Sequence, residues 1–172
     1  MGLLQRFQPR RGTLIALTLL AIYFCTDAFF DLVLDSPERS SYAEYLAEGI
    51  EMTEKELTTA DGYRIRVLIL ANPKNLDESK PPVYLQHGFG AMGASWLLNR
   101  EESAPAILCN AGHKVYILNG RGSALSHGHS KYTIHDSEYW DFTFEDVVYD
   151  IVALIDYIYE LHQQKVVYIG HS

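Results

Sequence analysis

The last three residues of the chain have the types and order that could support nucleophilic catalysis. Gly170, His171 and Ser172 follow the apolar run 166–169. They match the first part of G-x-S-x-G, the sharp turn between a strand and a helix that exposes a serine hydroxyl above a sheet. Ser172 is therefore a candidate nucleophile. An ordinary strand end with a polar cap would carry the same three residues, so this short match leaves both interpretations open.

A second segment could stabilise negative charge on a reacting carbonyl. His87 ends the apolar run 83–87, and Gly88 and Phe89 follow it. A loop of this kind can direct a backbone N–H at a developing oxyanion. Glycine lets the backbone approach a substrate because it has no Cβ. We predict that the Phe89 amide is an oxyanion donor and that the His87 side chain is hydrogen-bonded to backbone.

The same segment also matches a dinucleotide-binding fingerprint. Gly88, Gly90 and Gly93 have the spacing G-x-G-x-x-G after a strand, a pattern that normally includes an acidic residue about 20 positions further on. The next predicted strand ends instead at Asn119, well beyond that spacing. Arg121 would suit a 2′-phosphate, so a dinucleotide-binding module stays as the weaker alternative.

Three histidines, His127, His129 and His135, lie close together in a loop that is rich in serine and glycine. No acidic residue completes an H-x-H-x-D pattern, so we predict a solvated loop and no metal site. Cys25 and Cys109 form neither a C-x-x-C motif nor a disulfide framework, and cysteine chemistry is therefore not expected.

Periodicity predicts the elements that would position these residues. Residues 56–70 contain two strand-like runs around an Asp-Gly turn, which is typical of a β-hairpin, and we expect this hairpin at a sheet edge. Apolar runs at 83–87, 114–118 and 166–169 predict further strands. Residues 95–110 have helical character with a helix start near Pro105, and apolar residues from 144 to 161 recur at helical spacing.

Strands that alternate with helices indicate an α/β protein with a parallel sheet and right-handed crossovers. The run 166–169 is apolar on both alternating faces, which predicts a strand in the middle of that sheet. Ser172 would then lie at the carboxyl end of a strand, where open α/β sheets bind their ligands.

Composition excludes some partners. The chain has 172 residues, of which 48% are hydrophobic, and a formal net charge of −8 from 22 acidic and 14 basic residues. The predicted folded region has no block of lysine or arginine, so we predict no nucleic-acid partner.

The amino terminus has the pattern of a secretory targeting segment. Three arginines precede the apolar residues 13–25, and small residues allow cleavage after Ala28. Residues 1–28 are therefore predicted to be a signal peptide or a signal anchor, followed by a linker at 29–50. The alternative is an uncleaved anchor of residues 13–34, which would place Asp27 and Asp31 in the membrane at a cost. A segment of either kind predicts entry into the secretory pathway.

Taken in order, the motifs of residues 51–172 resemble the acid lipase family that includes the lysosomal and gastric lipases. The hairpin resembles that family's amino-terminal lipase region, and the other motifs are LQHGF at 85–89, SW at 95–96, AGHKVY at 111–116, NGRG at 119–122, EYWDFTF at 138–144 and GHS at 170–172. The resemblance implies a partial α/β-hydrolase lipase domain with the amino-terminal half of the sheet. It also implies hydrolysis of neutral lipid esters, such as triacylglycerols and sterol esters, without a cofactor.

Residue by residue, Ser172 matches the family nucleophile and the Phe89 amide matches its first oxyanion donor. Two departures bear on chain-length preference: Phe89-Gly90 stands where the family often has two leucines, and Asn119-Gly120 where it often has Asn-Ser. The family also implies a secreted or lysosomal location and contact with a lipid surface.

The family order of Ser, acid and His places the catalytic acid and base after Ser172. We therefore expect a fragment of a longer product that ends at its nucleophile, is inactive alone and has an open apolar sheet edge. The alternative is a non-catalytic, truncated or membrane-anchored hydrolase-like protein.

Overall fold

The computed structural model describes residues 42–88 and 90–172. The predicted targeting segment 1–28, residues 29–41 of the predicted linker and Phe89 lie outside the described residues. The strands are β1 (Glu51–Thr58), β2 (Tyr63–Ala71), β3 (Val83–Gln86), β4 (Val115–Asn119), β5 (Gly128–His129) and β6 (Val167–Gly170). The α-helices are α1 (Ala104–Asn110) and α2 (Val148–His162), and short 3-10 turns lie at Tyr42–Tyr45, Gly93–Trp96, Arg100–Glu102, Ser137–Tyr139 and Glu145–Val147.

These strands form one sheet in the order β1-β2-β4-β3-β6, and β5 pairs with the start of β2. The hairpin β1/β2 is antiparallel with Thr58 opposite Arg64, and β1 forms one edge. Strand β4 is antiparallel to β2, whereas β4, β3 and β6 are mutually parallel. The predicted hairpin and the predicted parallel α/β arrangement are both confirmed.

Each face of the sheet carries its own core, because successive side chains of a strand point to opposite faces. On one face Val83, Leu85 and Ile117 pack with Cys109 of α1. On the other face Tyr84, Tyr116 and Leu118 pack with α2. Strands β3 and β4 are thus buried on both sides, as their continuous apolar runs predict.

Both helices begin or end through local features of the sequence. The Ser103 hydroxyl caps α1 by accepting the Ala106 N–H at 3.3 Å, and Pro105 lies in the first turn. Proline there lacks only an N–H that the helix would leave unpaired, so the predicted helix start at Pro105 is confirmed. Helix α2 ends where Gln163 adopts a left-handed φ of 50°.

Residues 42–50, which belong to the predicted linker, pack against the sheet. Tyr42, Ala47 and Ile50 are buried in the core on the α1 face. The sheet therefore has a packed cover that begins within the segment predicted as a linker.

Strand β6 lies at the second edge of the sheet, so the prediction that it occupies the middle is wrong for this chain. Val167, Tyr168 and Ile169 are 42%, 47% and 37% exposed, because among the described residues only β3 pairs with this strand. The expected open apolar edge is confirmed. In the described part of the chain, no helix has the length and apolar character needed to cross a membrane.

Candidate active site

Ser172 lies two residues after the end of β6. The His171 N–H still donates to the Gln86 carbonyl at 3.0 Å, which continues the pairing with β3. Ser172 then adopts a φ of 69°, in the left-handed region that non-glycine residues seldom occupy. A left-handed φ agrees with the strained backbone on which a serine nucleophile is presented after a strand.

The predicted oxyanion loop touches this serine. A Cβ built on Gly88 would lie 2.9 Å from Ser172 Cβ and 3.4 Å from its Oγ. Only a residue without a side chain fits there. The structure therefore brings together two segments that the sequence places 84 positions apart, from Gly88 to Ser172. Phe89, the predicted donor, lies outside the described residues, so its role stays a prediction.

His87 is held by backbone groups on both sides of its ring. Its Nδ1 lies 2.8 Å from the Gly88 carbonyl, and its Nε2 accepts the Gly120 N–H at 3.1 Å. Because Nε2 accepts, the proton is on Nδ1 and donates to Gly88. Burial lowers the pKa of His87, which favours this neutral form. The prediction that the side chain bonds to backbone is confirmed.

Asn119 at the end of β4 anchors the third glycine of the fingerprint. Its Oδ1 accepts the Gly93 N–H at 2.9 Å, and a Cβ on Gly93 would lie 3.0 Å from Ile117 Cγ2. The segment that follows is a single 3-10 turn, whereas a dinucleotide site needs the N-terminus of a helix for the pyrophosphate. Gly88 and Gly93 serve close packing, whereas Gly90 has a left-handed φ of 72° and open space around it. Both roles are structural, which argues against dinucleotide binding.

Arg121 is the centre of a buried ion cluster and is not open to a phosphate. Its Nε and Nη2 donate to Asp150 Oδ1 at 2.9 and 2.7 Å, and its Nη1 donates to Asp61 at 2.6 Å. The guanidinium also lies 4.1 Å above the Tyr63 ring. Two carboxylates raise the pKa of Arg121 against the opposing effect of burial. The cluster joins the hairpin turn, the end of β4 and α2.

Most of the described histidines form their contacts with residues away from Ser172. His129 is buried, its Nε2 lies 3.2 Å from the Asp61 carbonyl and its ring stacks on Tyr132. The prediction of a solvated loop is therefore wrong for His129, because β5 docks it against β2. Among residues 42–88 and 90–172, no three His, Cys, Asp or Glu side chains are grouped so as to hold a metal ion.

An apolar pocket of about 440 Å³ opens at the carboxyl end of the parallel strands. It is formed by the loop after β3, the loop after β4 and the first 3-10 turn. The described residues of its walls are mainly aliphatic and aromatic, and Glu44 is the one charged residue among them: Tyr42, Glu44, Tyr45, Ala91, Met92, Ala94, Ser95, Leu98, Ala124 and Leu125. Its volume and lining are those of a pocket for an apolar small molecule.

The pocket wall is continuous with the surroundings of Ser172. The Ala91 N–H donates to the Gly88 carbonyl at 3.1 Å, and Gly88 contacts the serine. The Trp96 ring, in the same loop, meets the His171 ring edge-on with 6.3 Å between centroids. One loop therefore forms both a wall of the pocket and the floor beneath the candidate nucleophile.

Sequence reasoning missed the ion cluster and the pocket. One signal for the cluster was available: Asp150 precedes Leu154 and Ile158 by one and two helical turns, so it falls on the apolar stripe of α2. An acid in such a stripe is buried and needs a cationic partner. The pocket had no such signal, since its walls come from three separate segments.

Two family models match the chain. One, described as partial alpha/beta-hydrolase lipase region, matches residues 42–100. The other, described as alpha/beta hydrolase fold, matches residues 81–172.

Several lipases are similar in sequence. Triacylglycerol lipase 1 of Arabidopsis thaliana is 35% identical over 144 residues, covering 82% of this chain and 37% of that protein. The putative lysosomal acid lipase/cholesteryl ester hydrolase of Crotalus adamanteus is 35% identical, covering 74% of this chain and 33% of that protein. The gastric triacylglycerol lipase of Rattus norvegicus is 35% identical, covering 72% and 33%. The chain thus spans about a third of the length of the relatives it matches.

Solved structures show the same fold. The hypothetical protein PA2218 from Pseudomonas aeruginosa superposes with a TM-score of 0.52 at 14% identity, covering 73% of this chain and 36% of that one. The Pyrococcus furiosus esterase Pf2001 gives a TM-score of 0.50 at 18% identity, covering 76% and 45%.

Proposed function

Because the chain belongs to the α/β-hydrolase family, we propose that it is the nucleophile-bearing part of a lipase that hydrolyses neutral lipid esters. The observation that carries this proposal is the position of Ser172, which has a left-handed φ after β6 and packs on Gly88. Triacylglycerols and sterol esters are the proposed substrates, in keeping with the names of the similar lipases.

The proposed reaction is acyl transfer to water. Ser172 Oγ attacks the ester carbonyl carbon, the hydroxyl proton passes to a histidine, and the resulting tetrahedral oxyanion accepts the Phe89 N–H. The intermediate collapses with loss of the alcohol, which takes the proton back from the histidine. Water then attacks the acyl-serine and releases the fatty acid. The order of the triad places the acid and the histidine after Ser172 in a longer polypeptide.

The apolar pocket supports an ester with a long acyl chain. Among the described residues that line it there is no cation and one carboxylate, Glu44, so an anionic ligand would gain no ion pair from them and would meet repulsion. An alkyl chain would instead gain from burial of its CH₂ groups, about 0.8 kcal/mol each.

A secretory route is proposed as well, ending outside the cell or in the lysosome. It is supported by the targeting pattern of residues 1–28 and by the similarity to gastric and lysosomal lipases. Retention in a membrane through residues 13–34 is the alternative. The mass of the mature protein distinguishes the two, because cleavage after Ala28 removes residues 1–28.

The test is hydrolysis of emulsified triacylglycerol by the complete protein that the gene encodes, with and without Ser172→Ala. Loss of the nucleophile in a serine hydrolase lowers kcat by about 10⁶-fold, and the variant should also fail to react with a fluorophosphonate. Ser137→Ala, at an exposed serine, is the matched control and should keep full activity. Turnover that survives in Ser172→Ala contradicts the proposal, and a wild-type protein with neither turnover nor labelling favours a non-catalytic role.

A further inference from the structure

We propose that Arg100 is a positioning residue that joins two walls of the apolar pocket and so sets which acyl chains the pocket accepts. One wall is the 3-10 turn Tyr42–Tyr45, and the other is the loop after β3 from Ala91 to Leu98. This inference rests on the proposed function, because it names the acyl chains that the same site would select.

The Arg100 side chain fastens the first wall. Its Nε donates to the Glu44 carbonyl at 3.1 Å, and its Nη2 donates to the same oxygen. A guanidinium presents its donors in a rigid fork, so two bonds to one oxygen fix direction as well as distance. Tyr42, at the start of this turn, is only 4% exposed and packs in the core on the α1 face. The turn is therefore held at its start by packing and at Glu44 by Arg100.

The Arg100 backbone is bonded to the second wall. Its N–H donates to the Leu97 carbonyl at 2.9 Å, and the Leu97 N–H donates to the Ala94 carbonyl at 2.9 Å. The Arg100 carbonyl accepts the Ser103 hydroxyl at 2.6 Å, and Ser103 is the residue that caps α1. Arg100 thus connects the turn at Glu44, the loop after β3 and the start of α1.

The backbone of Arg100 is strained. Its φ is 47°, in the left-handed region that residues other than glycine seldom occupy. Strained residues of this kind cluster at functional sites and persist where the surrounding structure holds them. Glycine would adopt this conformation without strain, but it would supply neither bond to Glu44. The strain therefore favours a role of Arg100 in the site over an ordinary surface contact.

A pocket whose walls are held together selects its ligands by shape. Apolar pockets discriminate between ligands that differ by one methylene by about 10- to 200-fold. Preorganised walls also strengthen binding, because they need not be ordered when the ligand enters. A turn released from Arg100 should admit wider chains and bind straight chains less tightly. We therefore expect Arg100 to favour straight acyl chains over methyl-branched ones.

The test measures kcat/KM of the complete protein for straight-chain and methyl-branched esters. Arg100→Met removes both donors and should lower the straight-to-branched ratio by about 3- to 10-fold. Arg100→Gln keeps an amide N–H near the position of Nε and should keep the ratio within about twofold of wild type. Arg64→Met, at an exposed arginine of β2, is the matched control and should leave the ratio unchanged. A merely structural defect would lower kcat/KM for both esters alike.

The second readout is the binding of Nile red, a neutral apolar fluorophore, which requires no turnover. Leu125→Trp fills the pocket and should abolish this binding, which identifies the site of the probe. The dissociation constant should rise about threefold or more in Arg100→Met and stay near the wild-type value in Arg100→Gln. Should Arg100→Met fail to fold, Arg100→Gly replaces it, because glycine removes the same donors and relieves the left-handed strain.

The outcomes separate this inference from the proposed function. An unchanged ester ratio in Arg100→Met, or Nile red binding that neither Arg100→Met nor Leu125→Trp weakens, overturns the role of Arg100 while leaving the hydrolase intact. A wild-type protein without turnover overturns the proposed function and, with it, the selection of acyl chains. Weaker Nile red binding in Arg100→Met would then still support the joining of the two walls.

Discussion

Two imidazoles are held in place at opposite ends of the sheet, and their partners differ in kind. His87, at the carboxyl end of β3, is bonded to backbone groups of Gly88 and Gly120. His162, at the end of α2 near the start of β6, contacts two side chains: Tyr116 Oη lies 2.7 Å from its Nε2, and Glu78 lies 3.7 Å from its Nδ1. Burial lowers the pKa of both rings.

The difference shows what each histidine can control. A ring bonded to backbone fixes the path of a loop, whereas a ring bonded to side chains fixes the packing of one element on another. His162 ties α2 to β4 through Tyr116. We therefore expect catalysis at the carboxyl end of the sheet, where His87 holds the loop backbone. Open α/β sheets also bind their ligands at that end.

The largest loss of stability is expected when the ion cluster of Arg121, which supports the carboxyl end of the sheet, is broken. Asp150→Ala leaves Arg121 buried with only the partly exposed Asp61, and breaking a buried ion pair costs about 3–5 kcal/mol. Urea unfolding of the complete protein measures this loss. Asp156→Ala, an exposed acid on the same helix, is the control and should change stability by less than about 0.5 kcal/mol. A similar small change for Asp150→Ala would refute the structural role of the cluster.

A smaller effect is expected when the pocket at the same end is filled. Leu125→Trp should lower kcat/KM for long-chain esters by about 10-fold or more relative to butyrate esters, since apolar pockets discriminate by about 1–3 kcal/mol. Leu161→Trp provides the comparison, because Leu161 is 56% exposed near the other end of α2. It should leave the chain-length profile unchanged. An unaltered profile in Leu125→Trp would show that the acyl chain binds elsewhere.

The third prediction concerns His162, near the amino end of the parallel strands, where a substitution should lower stability and leave activity unchanged. His162→Phe leaves the Tyr116 hydroxyl without its partner, and an unpaired buried polar group costs about 1–3 kcal/mol. The expected result is a lower unfolding midpoint with kcat/KM unchanged below the transition. Adding Tyr116→Phe should restore part of the stability, because the unpaired hydroxyl is then absent. A clear fall in kcat/KM would contradict a purely structural role for His162.

The smallest expected effect is on the pH dependence of the free energy of unfolding. Because burial lowers the pKa of His87 and His162, the unfolded chain binds protons first as pH falls below about 6.5. Their contribution to stability is therefore full above that pH and is lost toward the lower folded-state pKa values. Asp150 opposes the shift at His87, whereas at His162 Lys114 adds to it and Glu78 opposes it.

Unfolding free energies measured from pH 5 to 7 should fall toward pH 5, and His87→Asn and His162→Gln should each flatten this dependence. Because the two sites are far apart in the fold, the two effects should add in the double variant. A dependence that is unchanged in both variants would contradict the assignment of these groups.

The predictable parts of the fold are those that local sequence controls. The hairpin was predictable because an Asp-Gly turn joins two strand-like runs, and α2 because its apolar residues recur at helical spacing. The burial of β3 and β4 followed from their continuous apolar runs. The position of β6 was mispredicted, since an apolar run shows that a strand can be buried but not which strand will cover it.

The candidate site was predictable only in its separate pieces. Ser172 and the loop at His87 were identified as candidates from motifs, whereas the ion cluster was missed because Asp61 and Asp150 lie 60 and 29 positions from Arg121. Side chains so far apart in sequence leave no periodic signal of their contact.

By itself, the sequence determined the order of the strands and helices other than β5, the Gly-His-Ser motif after the apolar run of β6 and the glycines at Gly88 and Gly93 that allow close backbone approach, because these depend on neighbouring residues. Only the tertiary structure decided that Gly88 packs on Ser172, that His87 spans two loops and that three segments enclose an apolar pocket. Those contacts depend on the parallel alignment of β3, β4 and β6, which brings the carboxyl ends of these strands together at one end of the sheet.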